Sequence, residues 1–408
     1  MGPYRCSLLY FFILPFLVTI TLSVDVLHYQ TTPHGFAAPP RGWNSFGLQS
    51  LEDDQKLILN QDNVISQCEN LKGISHLGYT YCSLDSGWSV GCNGDDFGRT
   101  IYDSSLFDIP ALAKHLHDRG LKVGIYINPG FFEADKEKTI KGTNIKFSEI
   151  AATGDQNPGF NCRLNVDWDA PGAQEYCNSN VNLWASWGVD YIKLDYITPG
   201  SPDGGTLPVN SSGSVACYDR AIQQSGRDIF LEISWKLDWR IEWAYGIYKS
   251  SADAIRIDQD VNNAHESTLV KWATVQRTIE MYREYILEQK QKGVNVPLTA
   301  YPDLDNLYVG NAEALTGLDD QQRKSVMAHW VGAGASLLLG SDLTQLDDFG
   351  SSLLSDALIN EMTHFTAKYP MWPLRGKAGE TAGYQHQVWI AGPDPETGVA
   401  VLLVTNYG

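Results

Sequence analysis

The stretch Trp187–Asp195, WGVDYIKLD, contains a short apolar run typical of a buried strand and ends abruptly in a carboxylate. A second run ends in the same way within Ala254–Asp260, AIRIDQD. In a (β/α)8 barrel, residues at the C-terminal ends of the strands point into the active-site mouth. Two carboxylates delivered in this way can meet across one pocket, which is the minimum needed to break a glycosidic bond. A single strand-end Asp is often only a solvated loop residue, so the inference depends on the pair.

Eight short strand-like runs occur along the 408 residues, and most of them are separated by segments of helical length. Strands alternating with helical patterns predict a parallel sheet, and eight such units predict closure into a (β/α)8 barrel. Gly120 and Gly188 precede the third and fourth runs, where helix C-caps are expected. The runs are Arg41–Asn44, Tyr79–Asp85, Lys122–Ile127, Tyr191–Asp195, Ile229–Ser234, Ala254–Ile257, Leu298–Tyr301 and Ser336–Gly340.

The pattern changes near Trp372. Two β runs, Gln385–Ile390 and Val399–Val404, follow with Pro- and Gly-containing turns and no helical segment between them. They predict the first strands of a C-terminal antiparallel β domain. Two or three strands cannot bury a sheet face alone. We therefore divide the chain into a barrel at 24–370 and the beginning of a β-sandwich domain, which we expect to be truncated, at 371–408.

The N-terminus has the pattern of a secretory signal peptide at 1–23. Arg5 supplies the positive charge, Leu8–Leu22 form the apolar run, and Thr21 and Ser23 are small residues suited to a cleavage site. An uncleaved anchor is the alternative, because the apolar run is long. We expect a secreted, extracellular protein with no membrane attachment after cleavage.

The cysteines and the charge restrict the chemistry further. Without Cys6 six cysteines remain, an even number that predicts disulfides in an oxidising compartment. Several pairings are possible, and we favour the short loops Cys82–Cys92 and Cys162–Cys177. Neither C-x-x-C nor H-E-x-x-H occurs, so we expect no metal. A net charge of −18 argues against nucleic acid or an anionic membrane surface as a partner. One glycosylation sequon begins at Asn210.

Six motifs, in order from about Pro39 to the end, resemble family 27 of the glycoside hydrolases, the α-galactosidase and α-N-acetylgalactosaminidase family. The resemblance implies a barrel followed by an antiparallel β domain, and a retaining double-displacement mechanism without metal or cofactor. The motifs are Pro40–Ser45, Leu84–Asp85 with Trp88, Gly124–Tyr126, Trp187–Asp195, Arg256 with Asp260 four residues later, and Pro302–Asp305.

The resemblance also assigns roles to residues. Asp195 would be the nucleophile, and we expect Lys193, two residues earlier on the same strand face, to depress its pKa. Asp260 would be the acid/base, which must hold a proton before it can protonate the leaving oxygen. Asp258 is a rival acid, although the motif register favours Asp260. The implied sugar contacts are Trp43, Asp85, Tyr126, Lys193, Ser234, Arg256 and Asp305, and core packing is the alternative role for Trp43 and Tyr126.

The chain departs from the family pattern near the pocket. The family often has two successive acids and then Cys-Trp after its second strand, whereas Asp85 is followed by Ser-Gly-Trp. Ser234 stands where the family commonly has a Glu that serves the sugar 2-position, and Glu232 lies two residues earlier on the same strand face. The catalytic pair is intact, but these changes leave the sugar open.

We therefore expect an enzyme that removes terminal α-D-galactosyl residues from galactose-containing oligosaccharides or polysaccharides. β-L-Arabinopyranosides and α-N-acetylgalactosaminides are the alternative substrates within the family. A non-catalytic sugar-binding barrel would keep the aromatic walls and lose one carboxylate, whereas both carboxylates are present here.

Overall fold

The computed structural model describes residues 26–51, 57–154, 162–200, 207–293, 297–375 and 386–406. The predicted signal peptide at 1–23 lies outside these ranges. Within them, no helix has the length and apolar character needed to cross a membrane.

In the described ranges the main sheet consists of eight parallel strands, β1 Arg41–Asn44, β2 Tyr79–Leu84, β3 Lys122–Ile127, β4 Val189–Leu194, β5 Phe230–Ile233, β6 Ala254–Arg256, β7 Tyr301–Asp303 and β8 Leu337–Leu339. Strands β1 to β7 are neighbours in sequence order, and β8 pairs with β1. Beyond β7, Leu307 forms a parallel bridge with Leu339 of β8, and its amide donates to the Leu338 carbonyl. This bridge closes the predicted barrel.

The seventh strand differs from its prediction. The expected run was Leu298–Tyr301, whereas the strand begins at Tyr301. Leu298 instead forms a bridge with Tyr29, and the Gln30 amide donates to the Leu298 carbonyl over 2.9 Å. The apolar run was therefore a pairing site for the N-terminal segment, which periodicity alone could not reveal.

The helices of eight or more residues in the described ranges follow the strands as predicted. Asp108 caps the second of them by accepting from the Ala111 amide, and Pro110 occupies its first turn. Gly188 ends the third with a φ of 94°, as expected for a C-cap. They are α1 Gln61–Glu69, α2 Ile109–His117, α3 Ala173–Trp187, α4 Ser212–Ser225, α5 Glu242–Ser251, α6 Trp272–Lys292, α7 Asp320–Ala333, α8 Asp348–Ser355 and α9 Ala357–Thr366. Phe46–Gln49 and Glu313–Thr316 form single turns.

A small antiparallel sheet follows, with strands β9 Trp372–Arg375, β10 His386–Ala391 and β11 Val401–Asn406. Trp389 of β10 is fully buried. Its ring stacks on Tyr282 of α6 at 6.0 Å and meets His329 of α7 edge-on at 5.3 Å. This face of the sheet therefore packs on barrel helices, and the predicted start of a β domain is confirmed.

The predicted disulfide pairs were wrong, although all six cysteines are paired. The bonds are Cys68–Cys82, Cys92–Cys162 and Cys177–Cys217. The first joins α1 to β2, and the third joins α3 to α4, two helices that pack side by side. Loop length did not distinguish the pairs, because Cys68 and Cys82 are 14 residues apart in sequence whereas Cys92 and Cys162 are 70 apart.

Candidate active site

Charged side chains gather at the C-terminal ends of the barrel strands. Asp85 directly follows β2, Lys193 is the penultimate residue of β4, Asp195 directly follows β4, and Arg256 ends β6. Because the strands are parallel, all these positions lie at one mouth of the barrel.

Asp85 and Lys193 form a buried ion pair. Lys193 Nζ lies 2.9 Å from Asp85 Oδ2, and the two side chains are 12% and 2% exposed. The same Asp85 oxygen accepts from Asn44 Nδ2 over 3.3 Å. Burial alone would lower the pKa of Lys193, but Asp85 and then Asp195 raise it above its usual range. Lys193 is therefore a fixed cation.

Asp195 lies beside this pair. The Tyr126 hydroxyl donates to Asp195 Oδ2 over 2.9 Å and accepts from Asn128 Nδ2 over 3.0 Å. Burial raises the pKa of Asp195, Lys193 opposes that shift, and the negative charge of Asp260 adds to it. The expected depression of the Asp195 pKa was wrong, because burial outweighs the attraction of Lys193.

Asp260 and Asp305 share Arg256. The Arg256 guanidinium lies 2.8 Å from Asp260 Oδ1 and 2.7 Å from Asp305 Oδ2. The Arg256 side chain is 3% exposed, whereas that of Asp260 is 62% exposed. Burial raises the pKa of Asp305 to about 6, with Arg256 opposing the shift and Asp260 adding to it. The exposed carboxyl group of Asp260 thus lies at the open mouth and is held by the buried guanidinium of Arg256.

Asp258, the rival acid, has a different environment. It is 4% exposed, and its Oδ2 accepts from Arg277 Nε over 2.9 Å and from Thr278 Oγ1 over 2.6 Å. A buried carboxylate already engaged by two donors is poorly placed to protonate a substrate. The geometry therefore favours Asp260, in agreement with the motif register.

Two of the implied sugar contacts lie deeper than expected. Trp43 has no exposed surface, and its Nε1 donates to the Ser341 carbonyl over 3.0 Å, so it packs in the core beneath the site. Ser234 is 3% exposed, and its carbonyl accepts from the Ile197 amide. Glu232 is buried inside the barrel opposite Lys193 in the neighbouring strand, and burial followed by Asp303 raises its pKa well above the usual range.

Sequence reasoning missed an aromatic pair at this mouth. Tyr196 follows Asp195, Trp235 follows Ser234, and their rings stack with centroids 4.3 Å apart. Both residues have positive φ, 58° and 105°, which is strained for side chains of this size. The available signal was an aromatic residue directly after each of two strand-end polar residues.

In the described ranges, no group of three or more His, Cys, Asp or Glu side chains is arranged to hold a metal ion. The described side chains at the mouth include carboxylates, the cations Lys193 and Arg256, and aromatic rings.

Curated proteins of similar sequence include proteins named α-galactosidase. A family model described as Alpha galactosidase A matches residues 42–150 and 165–363, more than half of the chain. Alpha-galactosidase 3 of Hypocrea jecorina is 41% identical over 94% of this chain, which spans 62% of that relative's length. A relative from Emericella nidulans is 37% identical over 95% of this chain and 80% of its own length.

Solved structures share the fold. A family 27 β-L-arabinopyranosidase from Geobacillus stearothermophilus has a TM-score of 0.73 at 22% identity, covering 88% of this chain and 82% of that one. An α-galactosidase from Saccharomyces cerevisiae has a TM-score of 0.59 at 18% identity, covering 92% and 76%. At these identities the likeness establishes the fold alone. The family match and the curated relatives establish that the chain belongs to the alpha-galactosidase A family, family 27 of the glycoside hydrolases.

Proposed function

We propose that this protein is a secreted retaining α-galactosidase. The observation that carries the proposal is the contrast between two carboxyl groups at one mouth. Asp195 is partly buried and accepts a hydrogen bond from Tyr126, whereas Asp260 is exposed and paired with Arg256. A nucleophile needs a fixed position, and an acid/base needs access to both the leaving group and water.

Asp195 attacks the anomeric carbon while Asp260 transfers its proton to the glycosidic oxygen. The carbon–oxygen bond to the leaving group breaks, and a galactosyl ester of Asp195 forms. Water then gives a proton to Asp260 and attacks the same carbon, which releases the sugar and restores the Asp195 carboxylate. Two inversions at one carbon retain its configuration.

The Asp85–Lys193 pair binds sugar hydroxyl groups, because it offers an acceptor and a donor beside the nucleophile. Arg256 and Asp305 contact the sugar from the opposite side. An α-glucoside has its 4-hydroxyl turned the other way relative to Asp85 and Lys193, so it loses contacts that galactose makes.

Two other sugars remain candidates at the same site. The side chain of Ser234 is short where the family commonly has Glu, which leaves room for an acetamido group. A pentopyranose of galactose configuration needs no contact at the hydroxymethyl end. The three disulfides and the exposed sequon residue Asn210 support secretion through an oxidising compartment.

A panel of nitrophenyl glycosides tests the proposal. We expect the highest kcat/KM on the α-galactoside, measurable activity on the β-L-arabinopyranoside and little on the α-glucoside. A higher kcat/KM on the α-N-acetylgalactosaminide would correct the sugar and leave the mechanism intact. A preference for the α-glucoside would contradict the proposal that Asp85 and Lys193 select the orientation of the galactose 4-hydroxyl.

A further inference from the structure

The turn that carries Asp260 is held by one face of helix α6. Thr274, Arg277 and Thr278 follow the i, i+3, i+4 spacing that places side chains on the same side of a helix. All three donate hydrogen bonds to the segment 258–261. Thr278 is buried, whereas Thr274 and Arg277 are partly exposed.

Arg277 makes the largest share of these contacts. Its Nε donates to Asp258 Oδ2 over 2.9 Å, and its terminal nitrogen donates to the carbonyls of Gln259 over 3.1 Å and Asp260 over 2.8 Å. The planar guanidinium thus donates hydrogen bonds to one side chain and to the carbonyls of two consecutive peptide groups. A lysine ammonium cannot reproduce that fork.

Asp258 completes the arrangement from below. Its carboxylate is 4% exposed and also accepts from Thr278 Oγ1 over 2.6 Å, so it fixes the direction of the Arg277 fork. At the far end of the turn, Val261 donates through its amide to Asp305 and accepts from Thr274 Oγ1 through its carbonyl.

The carboxyl group of Asp260 has much less support of its own. Its side chain is 62% exposed, and its carboxylate accepts a hydrogen bond from Arg256. Its position therefore depends on the main chain below it. An acid must come within hydrogen-bond reach of the leaving oxygen, and a displacement of about 1 Å can cost about 100-fold in rate.

We infer that Asp258 and Arg277 form a clamp that positions Asp260 for proton transfer. The inference rests on the proposed role of Asp260 as acid/base and adds two positioning residues to it. Neither residue touches the sugar in this account. Loosening the clamp should impair protonation of the leaving group and leave attack by Asp195 nearly unchanged.

The test compares leaving groups that need a proton with one that does not. We would measure kcat/KM on dinitrophenyl, phenyl and methyl α-galactosides for Arg277→Lys and Asp258→Asn. The expected loss for Arg277→Lys is about 100-fold on the methyl glycoside and less than about threefold on the dinitrophenyl glycoside. We expect the same trend, with a smaller loss, for Asp258→Asn, which keeps an acceptor oxygen.

Two reference variants make the result decisive. Asp260→Asn should show the steepest dependence on the leaving group. Arg119→Lys changes another arginine, which pairs with Glu69 at the opposite end of the barrel, and should leave kcat/KM unchanged on all three substrates. Thermal unfolding of every variant reports global damage separately from catalysis.

The experiment distinguishes failure of the acid/base assignment of Asp260 from failure of the proposed clamp. If Asp260→Asn itself loses activity equally on all three substrates, the proposed acid/base assignment is wrong. If Asp260→Asn behaves as expected but Arg277→Lys and Asp258→Asn lose equally on all substrates, or lose nothing, the clamp is overturned. If Arg277→Lys fails to fold, Asp258→Asn is judged by the same criterion. If Asp258→Asn also fails to fold, Thr274→Val takes its place, because it removes a third contact to the turn.

Discussion

The balance between burial and ion pairing differs between the two ends of the barrel. At the C-terminal end, Asp195 and Asp305 carry raised pKa values, because burial and neighbouring carboxylates disfavour their ionised forms. At the N-terminal end, His34 Nδ1 lies 2.8 Å from Asp253, and its Nε2 lies 3.2 Å from Asp219 without the alignment of a hydrogen bond. A cation lies between two carboxylates at both ends, but burial outweighs Arg256 in setting the pKa of Asp305, whereas Asp219 and Asp253 outweigh burial in setting the pKa of His34.

Backbone conformation also differs between the two ends of the barrel. At the N-terminal end, left-handed turns before strands use glycine, which adopts positive φ without strain. These glycines are Gly78, Gly120, Gly188, Gly226 and Gly334. At the C-terminal end, residues with side chains adopt positive φ just beyond β4, β5 and β7, at a cost of order 1–3 kcal/mol each. They are Tyr196, Trp235, Lys236 and Asp305. Strain is therefore concentrated where we place catalysis.

The largest expected effect is the loss of activity in Asp195→Asn. We expect turnover to fall by more than about 10⁴-fold, because the nucleophile is gone. We also expect no loss of stability at neutral pH, because the ionised Asp195 is disfavoured by burial. Kinetics on the nitrophenyl α-galactoside and urea unfolding measure the two quantities.

The matched variant at the other end is Asp190→Asn. Asp190 accepts from Arg227 over 2.5 Å, from His117 over 2.8 Å and from the Val123 amide over 2.9 Å. This variant should lose stability and keep kcat. If Asp195→Asn is less stable than Asp190→Asn, the proposed difference between the two ends of the barrel is wrong.

A smaller effect is expected from His34→Gln, and it depends on pH. Burial would lower the pKa of His34, but Asp219 and Asp253 raise it to about 9. A shift from about 6.5 in the unfolded chain to about 9 corresponds to on the order of 3 kcal/mol. Because the folded pKa is the higher one, this stabilisation is fully present below about pH 6.5 and is lost as the pH rises through about 9.

Urea unfolding of His34→Gln at about pH 6 and about pH 10 measures this prediction. The variant should be less stable than the parent at the lower pH, and the difference should shrink at the higher pH. His76→Gln, at an exposed histidine, is the control and should change neither value. A deficit that is the same at both pH values would show that His34 acts through packing and not through its charge.

The smallest expected effect comes from Tyr126→Phe, which removes one hydrogen bond to Asp195. Hydrogen bonds to charged groups are worth about 1.5–3 kcal/mol, so kcat/KM should fall about tenfold to a hundredfold. Tyr29→Phe is the matched change at the N-terminal end, where the hydroxyl donates to the Ala333 carbonyl over 3.1 Å. Tyr29→Phe should reduce stability without changing kcat/KM. A loss of kcat/KM in Tyr29→Phe, or a loss of stability alone in Tyr126→Phe, would contradict the proposed difference between the two ends of the barrel.

The order of the barrel strands could be predicted from the sequence because most strands are short apolar runs that end in, or are followed by, a polar residue. The exception, Leu298, was apolar for another reason, since it pairs with Tyr29 of the N-terminal segment. Disulfide partners could not be predicted, because Cys177 and Cys217 meet only through the packing of α3 against α4. Local patterns reveal elements, whereas contacts between distant elements need the fold.

The same limit applies to the site. Asp195, Lys193 and Arg256 were identifiable because motif and strand period place them at the mouth. The raised pKa of Asp195 was not predictable, because it depends on burial that three-dimensional packing produces. Arg277 carries no motif, and its role depends on the way α6 faces the turn of Asp260.

The most direct test of the account is to identify the residue that becomes covalently attached to the sugar. A slow fluorinated α-galactosyl substrate with a good leaving group should trap the glycosyl-enzyme, and peptide mass spectrometry then locates the added mass. We predict one sugar per chain, attached to Asp195, with no labelling in Asp195→Asn. Attachment to Asp260 or Asp258, or turnover without any trapped intermediate together with an inverted product, would contradict the account.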